Sequence, residues 1–209
     1  MKSRAELRLK AEGVAITRGG RSILSDLSFH VCAGDALVVT GPNGSGKSSL
    51  LRAVAGLIAP AAGRIYLEGG ALSGAVHLVG HNNALKAQLS VLENALFWAR
   101  WQGGAEVASA SDVDAETRAE DALAAVGLLR LADTPGAYLS QGQRRRLALA
   151  RLVASPRPVW LLDEPVAGLD AASRDLFAAS MARHLDGGGL IMAATHEPLG
   201  LDRPREMSL

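Results

Sequence analysis

A glycine-rich stretch, Gly41–Ser48, reads G-x-x-x-x-G-K-S. The apolar run Ala36–Val39 precedes it, and the helical pattern Ser49–Gly56 follows it. A strand, a glycine loop and a helix in this order predict a phosphate-binding loop. Glycines let the backbone wind closely around phosphate oxygens, and the helix start points its N–H groups and positive dipole end at the anion. We therefore expect the chain to bind a nucleoside triphosphate.

The residues of this loop have separate expected roles. Lys47 is placed to reach the terminal phosphates, and the Ser48 hydroxyl is placed to ligate Mg²⁺. A glycine-rich turn that precedes a Lys-Ser pair by chance is the other reading, and the flanking strand and helix argue against it. The expected phosphate contacts are Gly41, Pro42, Asn43, Gly44, Ser45, Gly46, Lys47, Ser48 and Ser49.

The charge balance argues against a general nucleic-acid partner. The 209 residues include 22 basic and 21 acidic side chains, which gives a formal net charge of +1. We interpret the basic run Arg144–Arg146 as a solvated or ion-paired helix face. A single cysteine, Cys32, excludes an intramolecular disulfide and fits a reducing compartment. No apolar stretch approaches the ~20 residues of a membrane span, and we expect no secretory signal, so a membrane role would need a partner.

The pattern of runs and turns predicts alternating strands and helices. Short runs between Leu7 and Val39, Leu7–Lys10 and Gly13–Ile16 first among them, with turns at Gly19-Gly20 and Gly34-Asp35, predict a small antiparallel sheet. Further strands are predicted at Arg64–Leu67, Val76–Gly80, Val159–Leu162 and Leu190–Thr195. Helices are predicted after two capping boxes, Ser90–Glu93 and Ser140–Gln143, and over Ala115–Val126, with an exposed loop over Gly103–Asp114.

Two acidic residues follow the buried strand at Val159–Leu162. The carboxyl ends of strands in open α/β sheets are where ligands bind. Asp163 is therefore expected to hold Mg²⁺ together with Ser48, and Glu164 to orient or polarise the attacking water. The alternative is that these two acidic residues simply lie on the surface after a core strand. The presence of the phosphate loop argues against this alternative.

His196 ends the strand predicted at Leu190–Thr195. A lone histidine at this place is either structural or a hydrogen-bond partner of the γ-phosphate. Its position alone leaves both readings open.

Together these motifs resemble the ATP-binding cassette (ABC) family over essentially the whole chain. The resemblance implies an α/β fold: a P-loop NTPase core with a mostly parallel sheet, an N-terminal antiparallel β subdomain and a helical subdomain at about 82–155, all within one domain over 1–209. It also implies ATP hydrolysis, with Lys47, Glu164 and His196 catalytic. The matching motifs are Gly41–Ser48 (Walker A), Leu139–Gln143 (signature), Val159–Asp163 (Walker B) with Glu164, Ala167–Asp170 (D-loop) and His196 (switch histidine).

The signature sequence offers a second phosphate cradle, since its helix start presents N–H groups and a positive dipole end. A single triphosphate needs only one of these two phosphate-binding sites. The resemblance implies an ATP-dependent head-to-tail homodimer, with ATP between the P-loop of one copy and Ser140, Gly142 and Gln143 of the other. We also expect Asp170 of the D-loop to contact the nucleotide.

The chain departs from the family pattern at three places. Gln141 stands where the family usually has glycine, and we expect function to be kept because Gly142 remains. The family often stacks adenine on an aromatic residue, but the matching segment Thr17–Gly20 has none, so either Arg18 stacks through its planar guanidinium or adenine is held loosely. His81 stands where the family has a Mg²⁺-contacting glutamine, and it would make this contact pH-sensitive.

The Gly80-His81 pair, the run Leu92-Glu93-Asn94 and the short length resemble one subfamily, the ATP-binding subunits of cytochrome c maturation haem exporters. This implies work on integral membrane subunits at the cytoplasmic face of the bacterial inner membrane, without a nucleic-acid partner. The alternatives are another ABC exporter, or a soluble ABC protein that acts on ribosomes or nucleic acid.

The aromatic residues after this segment have two readings. Phe97 and Trp101 are four apart and share a helix face, while Trp98 points elsewhere. They either pack within the helical subdomain or line a groove that receives a helix of a membrane subunit.

Overall fold

Three strands open the fold, and a helix, two strands, three α-helices, a strand, a helix and two strands follow them. The computed structural model describes residues 7–101 and 112–209. The strands are β1 (Arg8–Arg18), β2 (Arg21–Cys32), β3 (Ala36–Thr40), β4 (Ala62–Glu68), β5 (Val76–Val79), β6 (Val159–Asp163), β7 (Leu190–Ala194) and β8 (Arg205–Ser208). The helices are α1 (Lys47–Val54), α2 (Val91–Trp101), α3 (Asp112–Ala125), α4 (Gln141–Ala154) and α5 (Ala171–Asp186), with 3₁₀ turns at 129–131 and 136–138.

The antiparallel sheet has the order β2-β1-β4. β1 pairs antiparallel with both neighbours, and the turn into β2 lies at Gly19-Gly20, where both glycines have positive φ. The predicted antiparallel sheet is confirmed, but the short runs at Leu7–Lys10 and Gly13–Ile16 are not separate strands. They form one strand whose register shifts between Ala11 and Val14, because Gly13 has φ +57 and interrupts the alternation.

The second sheet is parallel throughout and has the order β5-β6-β7-β3-β8. All five residues of both β6 and β7 are buried, as strands covered on both faces require. The carboxyl ends of β3, β6 and β7 therefore meet at one edge, where the loops that start at Gly41, Glu164 and Thr195 leave the sheet. The predicted α/β fold with a mostly parallel sheet is confirmed.

The chain divides into two compact units. The first unit comprises residues 7–80, 157–165 and 182–209, and the second comprises 81–156 and 166–181. The core of the first unit joins both sheets to α1 through fully buried side chains, among them Leu9 of β1, Leu50 of α1, Leu161 of β6 and Met192 of β7. The P-loop is thus anchored on both sides by buried apolar residues.

The second unit is helical. Helices α2, α3 and α4 pack against one another through small and branched apolar residues, including Ala99, Ala119, Leu123 and Leu147. Two capping boxes begin α2 and α4 as predicted, because Ser90 and Ser140 each accept a hydrogen bond from the backbone N–H three residues on. In the residues that the structure describes, no helix has the length and apolar character of a membrane span.

In this unit the structure corrects the end of one predicted loop and the exposure of one arginine. Most of the loop predicted at Gly103–Asp114 lies outside the described residues, but 112–114 already belong to α3, whose first turn favours the negative charge of Asp114. The run Arg144–Arg146 is not uniformly solvated, because Arg145 is only 6% exposed. The arginines on either side of it donate hydrogen bonds to backbone carbonyl groups, Arg144 to Ala137 O and Arg146 to Val126 O.

For part of the aromatic residues of α2, the structure supports packing within the helical unit. Phe97 and Trp98 meet edge to face, and the guanidinium of Arg151 lies 5.1 Å from the centre of the Trp98 ring. Trp98 therefore packs inside the second unit. Phe97 also borders a surface cavity of about 430 Å³ with Glu93, Leu96 and Arg100.

Candidate nucleotide-binding site

The P-loop leaves β3 and enters α1 through three glycines with positive φ. Gly41, Gly44 and Gly46 have φ values of +135, +85 and +105. A Cβ on Gly41 would lie 2.7 Å from the Leu209 carbonyl oxygen, and one on Gly46 would lie 2.7 Å from Ile23 Cγ2. A Cβ on Gly44 would meet nothing within 4 Å. Two of the three glycines are thus required by space as well as by conformation.

Lys47 is held inside the loop it follows. Its side chain is 8% exposed, and Nζ donates to Gly41 O at 2.6 Å and to Pro42 O at 3.0 Å. Nζ also lies 3.1 Å from His196 Nε2. Because an ammonium group only donates, the imidazole nitrogen accepts in this contact. The structure therefore joins the lysine of the loop that follows β3 to the histidine that follows β7.

The two acidic candidates end β6 beside the P-loop. Asp163 is 9% exposed, and Glu164 adopts φ +46, a left-handed conformation that is rare for a residue with a side chain. The Glu164 N–H donates to Ala194 O at 2.8 Å, which anchors this strained residue to the end of β7. Strain of this kind is found at functional sites, where the surrounding structure maintains it.

A cleft of about 350 Å³ brings most of the predicted residues of the first unit together. One lining residue, Ile23, was not predicted. In the sequence, Ile23 is an apolar residue of a strand shortly after a Gly-Gly turn. This pattern does not distinguish Ile23 from residues of the core. The lining residues are Arg18, Ile23, Asn43, Gly44, Gly46, Lys47, Ser48, Ser49, Asp163 and Glu164.

The composition of the cleft fits a triphosphate with Mg²⁺. The Ser48 hydroxyl and the Asp163 carboxylate are hard oxygen ligands of the kind that Mg²⁺ takes, and they line the same cleft. The first N–H groups of α1 have no partner inside their own helix. Ser45 Oγ is buried without a hydrogen-bond partner among residues 7–101 and 112–209, which leaves a donor in the loop.

The signature residues lie in the second unit, where a capping box begins α4. Ser140 N–H donates to Gln143 Oε1 at 2.8 Å, and Gln143 N–H donates to Ser140 Oγ at 3.2 Å. Gly142 lies beside the D-loop, since an added Cβ would come within 3.4 Å of Gly168 O. This arrangement exposes the helix start while both capping side chains are satisfied.

Asp170 and His81 also belong to the second unit. Asp170 Oδ1 accepts from Ser173 N–H at 2.8 Å and caps α5. Hydrogen bonds from Ser173, from its side chain first and its N–H second, hold the pKa of the Asp170 carboxyl below its ordinary value. His81 is exposed, and the described residues contain no cluster of three His, Cys, Asp or Glu side chains that could hold a metal. A metal contact by His81 stays a prediction.

Comparison with known proteins identifies the family. The model of a family described as "ABC transporter" matches residues 24–167. A cytochrome c biogenesis ATP-binding export protein CcmA from Nitrobacter winogradskyi is 50% identical over 93% of this chain and 94% of its own length. The proteins of the same name from Brucella abortus and Nitrobacter hamburgensis are 50% and 52% identical, over 94% and 93% of this chain and 88% and 95% of their own lengths.

Solved structures support the same fold. A putative ABC transporter ATP-binding protein from Pyrococcus furiosus superposes with a TM-score of 0.80 at 22% identity, over 97% of both chains. A dimeric ATP-binding cassette in a post-hydrolysis state, bound to ADP and Pi, gives a TM-score of 0.79 at 24% identity, over 90% of this chain and 88% of the other. Since the family model matches most of the chain and relatives of about 50% identity cover nearly all of it, the chain belongs to the ABC transporter family.

Proposed function

We propose that this chain is the ATP-hydrolysing subunit of the haem exporter of cytochrome c biogenesis. It acts as an ATP-dependent homodimer on integral membrane subunits, at the cytoplasmic face of the inner membrane. The observation that carries the proposal is the cleft in which P-loop residues, Lys47 and Ser48 among them, lie together with Asp163 and Glu164. The identity of about 50% to proteins named cytochrome c biogenesis ATP-binding export proteins supports the choice of exporter.

The first step assigned to this chain is binding of the triphosphate. Lys47 exchanges the carbonyls of Gly41 and Pro42 for the terminal phosphates, and the N–H groups of the loop and of α1 surround the remaining oxygens. Ser48 and Asp163 would hold Mg²⁺. When bound, this ion neutralises charge on the β- and γ-phosphate oxygens.

The second step is hydrolysis. Glu164 orients the attacking water and accepts its proton, the water oxygen bonds to the γ-phosphorus, and the bond to the β,γ-bridging oxygen breaks, which releases ADP and inorganic phosphate. His196, released from Lys47 when the lysine moves to the phosphates, hydrogen-bonds the γ-phosphate. In the dimer, Ser140, Gly142, Gln143 and Asp170 of the second copy close the site from the other side.

Closure of the dimer drives the movement of the attached membrane subunit. A nucleotide that binds between two copies stabilises the closed state over the open one, and an attached membrane subunit moves with it. The cavity on α2, bordered by Leu96 and Phe97 with the charged Glu93 and Arg100, supports a docking role for this helix.

The proposal is tested by isolating the tagged chain from detergent-solubilised membranes and identifying what accompanies it. We expect integral membrane subunits in constant proportion, and loss of c-type cytochromes in cells that lack the chain. Ribosomes or nucleic acid in place of membrane subunits would favour a soluble ABC protein and contradict the proposal. Membrane subunits together with normal c-type cytochromes would indicate another exporter.

A further inference from the structure

The segment that leads into the signature is bound to the segment that leads into α2. Residues 132–137 and 87–92 run antiparallel, with a β-bridge between Ser90 and Pro135, and we call these two segments the ladder. Its backbone hydrogen bonds join Gly136 N–H to Leu89 O at 2.8 Å, Ala137 N–H to Ala87 O at 2.9 Å, Val91 N–H to Thr134 O at 3.0 Å and Leu92 N–H to Ala132 O at 2.9 Å.

Asn94 of α2 anchors one side of the ladder. It is 3% exposed, and its Oδ1 accepts from Lys86 N–H at 2.9 Å, while its Nδ2 donates to Lys86 O at 3.0 Å and to Ser90 O at 2.9 Å. The other side comes so close that a Cβ added to Gly136 would lie 3.2 Å from Lys86 O. Because a buried polar group with its partners in place favours a single arrangement, the ladder is fixed to α2.

Arg144 ties the first turn of α4 to the other side of the ladder. Its Nη2 donates to Ala137 O at 2.8 Å, and the N–H of the same alanine pairs with Ala87 across the ladder. This contact closes a short loop over residues 137–144, within which all the signature residues lie. The capping box, by contrast, joins Ser140 and Gln143 to each other and not to the ladder.

We propose that Arg144 is a positioning residue of the signature: by closing this loop onto the ladder it sets where Ser140 and Gly142 meet the nucleotide. The inference rests on the proposed function, in which these two residues contact the ATP held by the other copy. A small displacement of a group that contacts the reacting nucleotide lowers the rate, even when the change lies outside the chemistry. Arg144 is exposed, so its replacement leaves no buried group without a partner on its own side chain.

The test compares Arg144→Ala, Arg144→Lys and the control Arg130→Ala, which removes the same charge from another exposed position of the second unit. ATP turnover of the full chain, alone and with its membrane subunits, is the first measurement. We expect kcat of Arg144→Ala to fall about fivefold, the effect of one hydrogen bond from a charged group at an exposed site. Arg144→Lys should recover most of this loss, because the contact uses one N–H and one carbonyl, which an ammonium group also satisfies.

Two further measurements separate positioning from other effects. ADP binding should be unchanged in all variants, since it requires the P-loop of the first unit. ATP-dependent dimerisation, measured in the Glu164→Gln background, should weaken in Arg144→Ala and not in Arg130→Ala.

Gly136→Ala disturbs the ladder from its other side, because the added Cβ meets Lys86 O. It should also lower kcat, and its combination with Arg144→Ala should cost less than the product of the two single effects, since both act on the same ladder. Independent effects would mean that Arg144 acts directly on the nucleotide, and would overturn the inference.

Unchanged turnover in Arg144→Ala, no recovery in Arg144→Lys, or an equal loss in Arg130→Ala would each overturn the inference as well. If the wild-type chain neither hydrolyses ATP nor, as Glu164→Gln, dimerises with it, even with the membrane subunits present, the proposed function itself fails.

Discussion

Lys47 Nζ lies 3.1 Å from His196 Nε2 and 2.6 Å from Gly41 O, so the P-loop lysine contacts both its own loop and the histidine after β7. Three acceptors hold the ammonium at the place where terminal phosphates are expected. A triphosphate must therefore supply better acceptors than two carbonyls and an imidazole, and phosphate oxygens, which are charged, do so.

Replacement of Lys47 by Ala should abolish ATP turnover and the assembly of c-type cytochromes. The change removes the only group that joins the P-loop carbonyls to His196 in the described contacts. ATPase activity and haem-stained cytochromes are the measurements. Arg52→Ala, on the same helix α1, is the control and should retain both. An active Lys47→Ala protein would contradict the proposed function.

Glu164→Gln should slow hydrolysis by about 10²- to 10⁴-fold, the range for loss of a general acid–base group. Gln keeps the size of the side chain, and the backbone bond from Glu164 N–H to Ala194 O does not depend on the carboxylate. ATP should then bind without being consumed and hold the dimer. Light scattering with and without ATP measures this.

The control for this variant is Asp202→Asn, an exposed acidic residue of the first unit, which should hydrolyse ATP normally. A Glu164→Gln protein that stays monomeric with ATP, and also with its membrane subunits supplied, would rule out the ATP-dependent dimer.

Ser140→Ala and Ser90→Ala form a matched pair, because each serine accepts the N–H three residues on and begins a helix of the second unit. Loss of either cap should lower the free energy of unfolding by about 1 kcal/mol. Only Ser140→Ala should also weaken ATP-dependent dimerisation and turnover, since only α4 carries the signature. Urea unfolding and ATPase assays separate the two effects, and equal turnover in the two variants would remove the assigned role of Ser140.

Acid should destabilise the first unit through His184. The ring stacks on Trp160 at 3.9 Å, and burial lowers the pKa of His184 from 6.5 to about 4. As the pH falls below 6.5 the unfolded chain takes up a proton that the folded chain does not, so stability falls until about pH 4. The shift corresponds to an upper limit of about 3 kcal/mol, since the ring is partly exposed.

Denaturant unfolding between pH 7 and pH 5 checks this. His184→Gln should be less stable at pH 7 because the stack is lost, yet its stability should depend less on pH than that of the wild-type chain. His30→Gln, at an exposed position of β2, should keep the wild-type slope. Parallel slopes for His184→Gln and the wild-type chain would exclude His184 as the cause.

Much of the site was predictable because its chemistry is encoded in local order. The spacing of Gly41, Gly44, Gly46 and Lys47 follows from the backbone conformation that a phosphate loop needs, and the two capping boxes each involve residues only three apart. A buried strand with carboxylates at its end is likewise visible as a short apolar run that ends in Asp163-Glu164. Such local patterns appear directly in a sequence.

The tertiary structure alone decided the relationships between distant segments. Strand order places β7 beside β3 and so brings His196 to Lys47. The burial of Arg145 and the cleft position of Ile23 also depend on packing partners far away in the chain. Residue type and spacing determine what a segment can form by itself, whereas contacts between segments depend on how their apolar faces pack together.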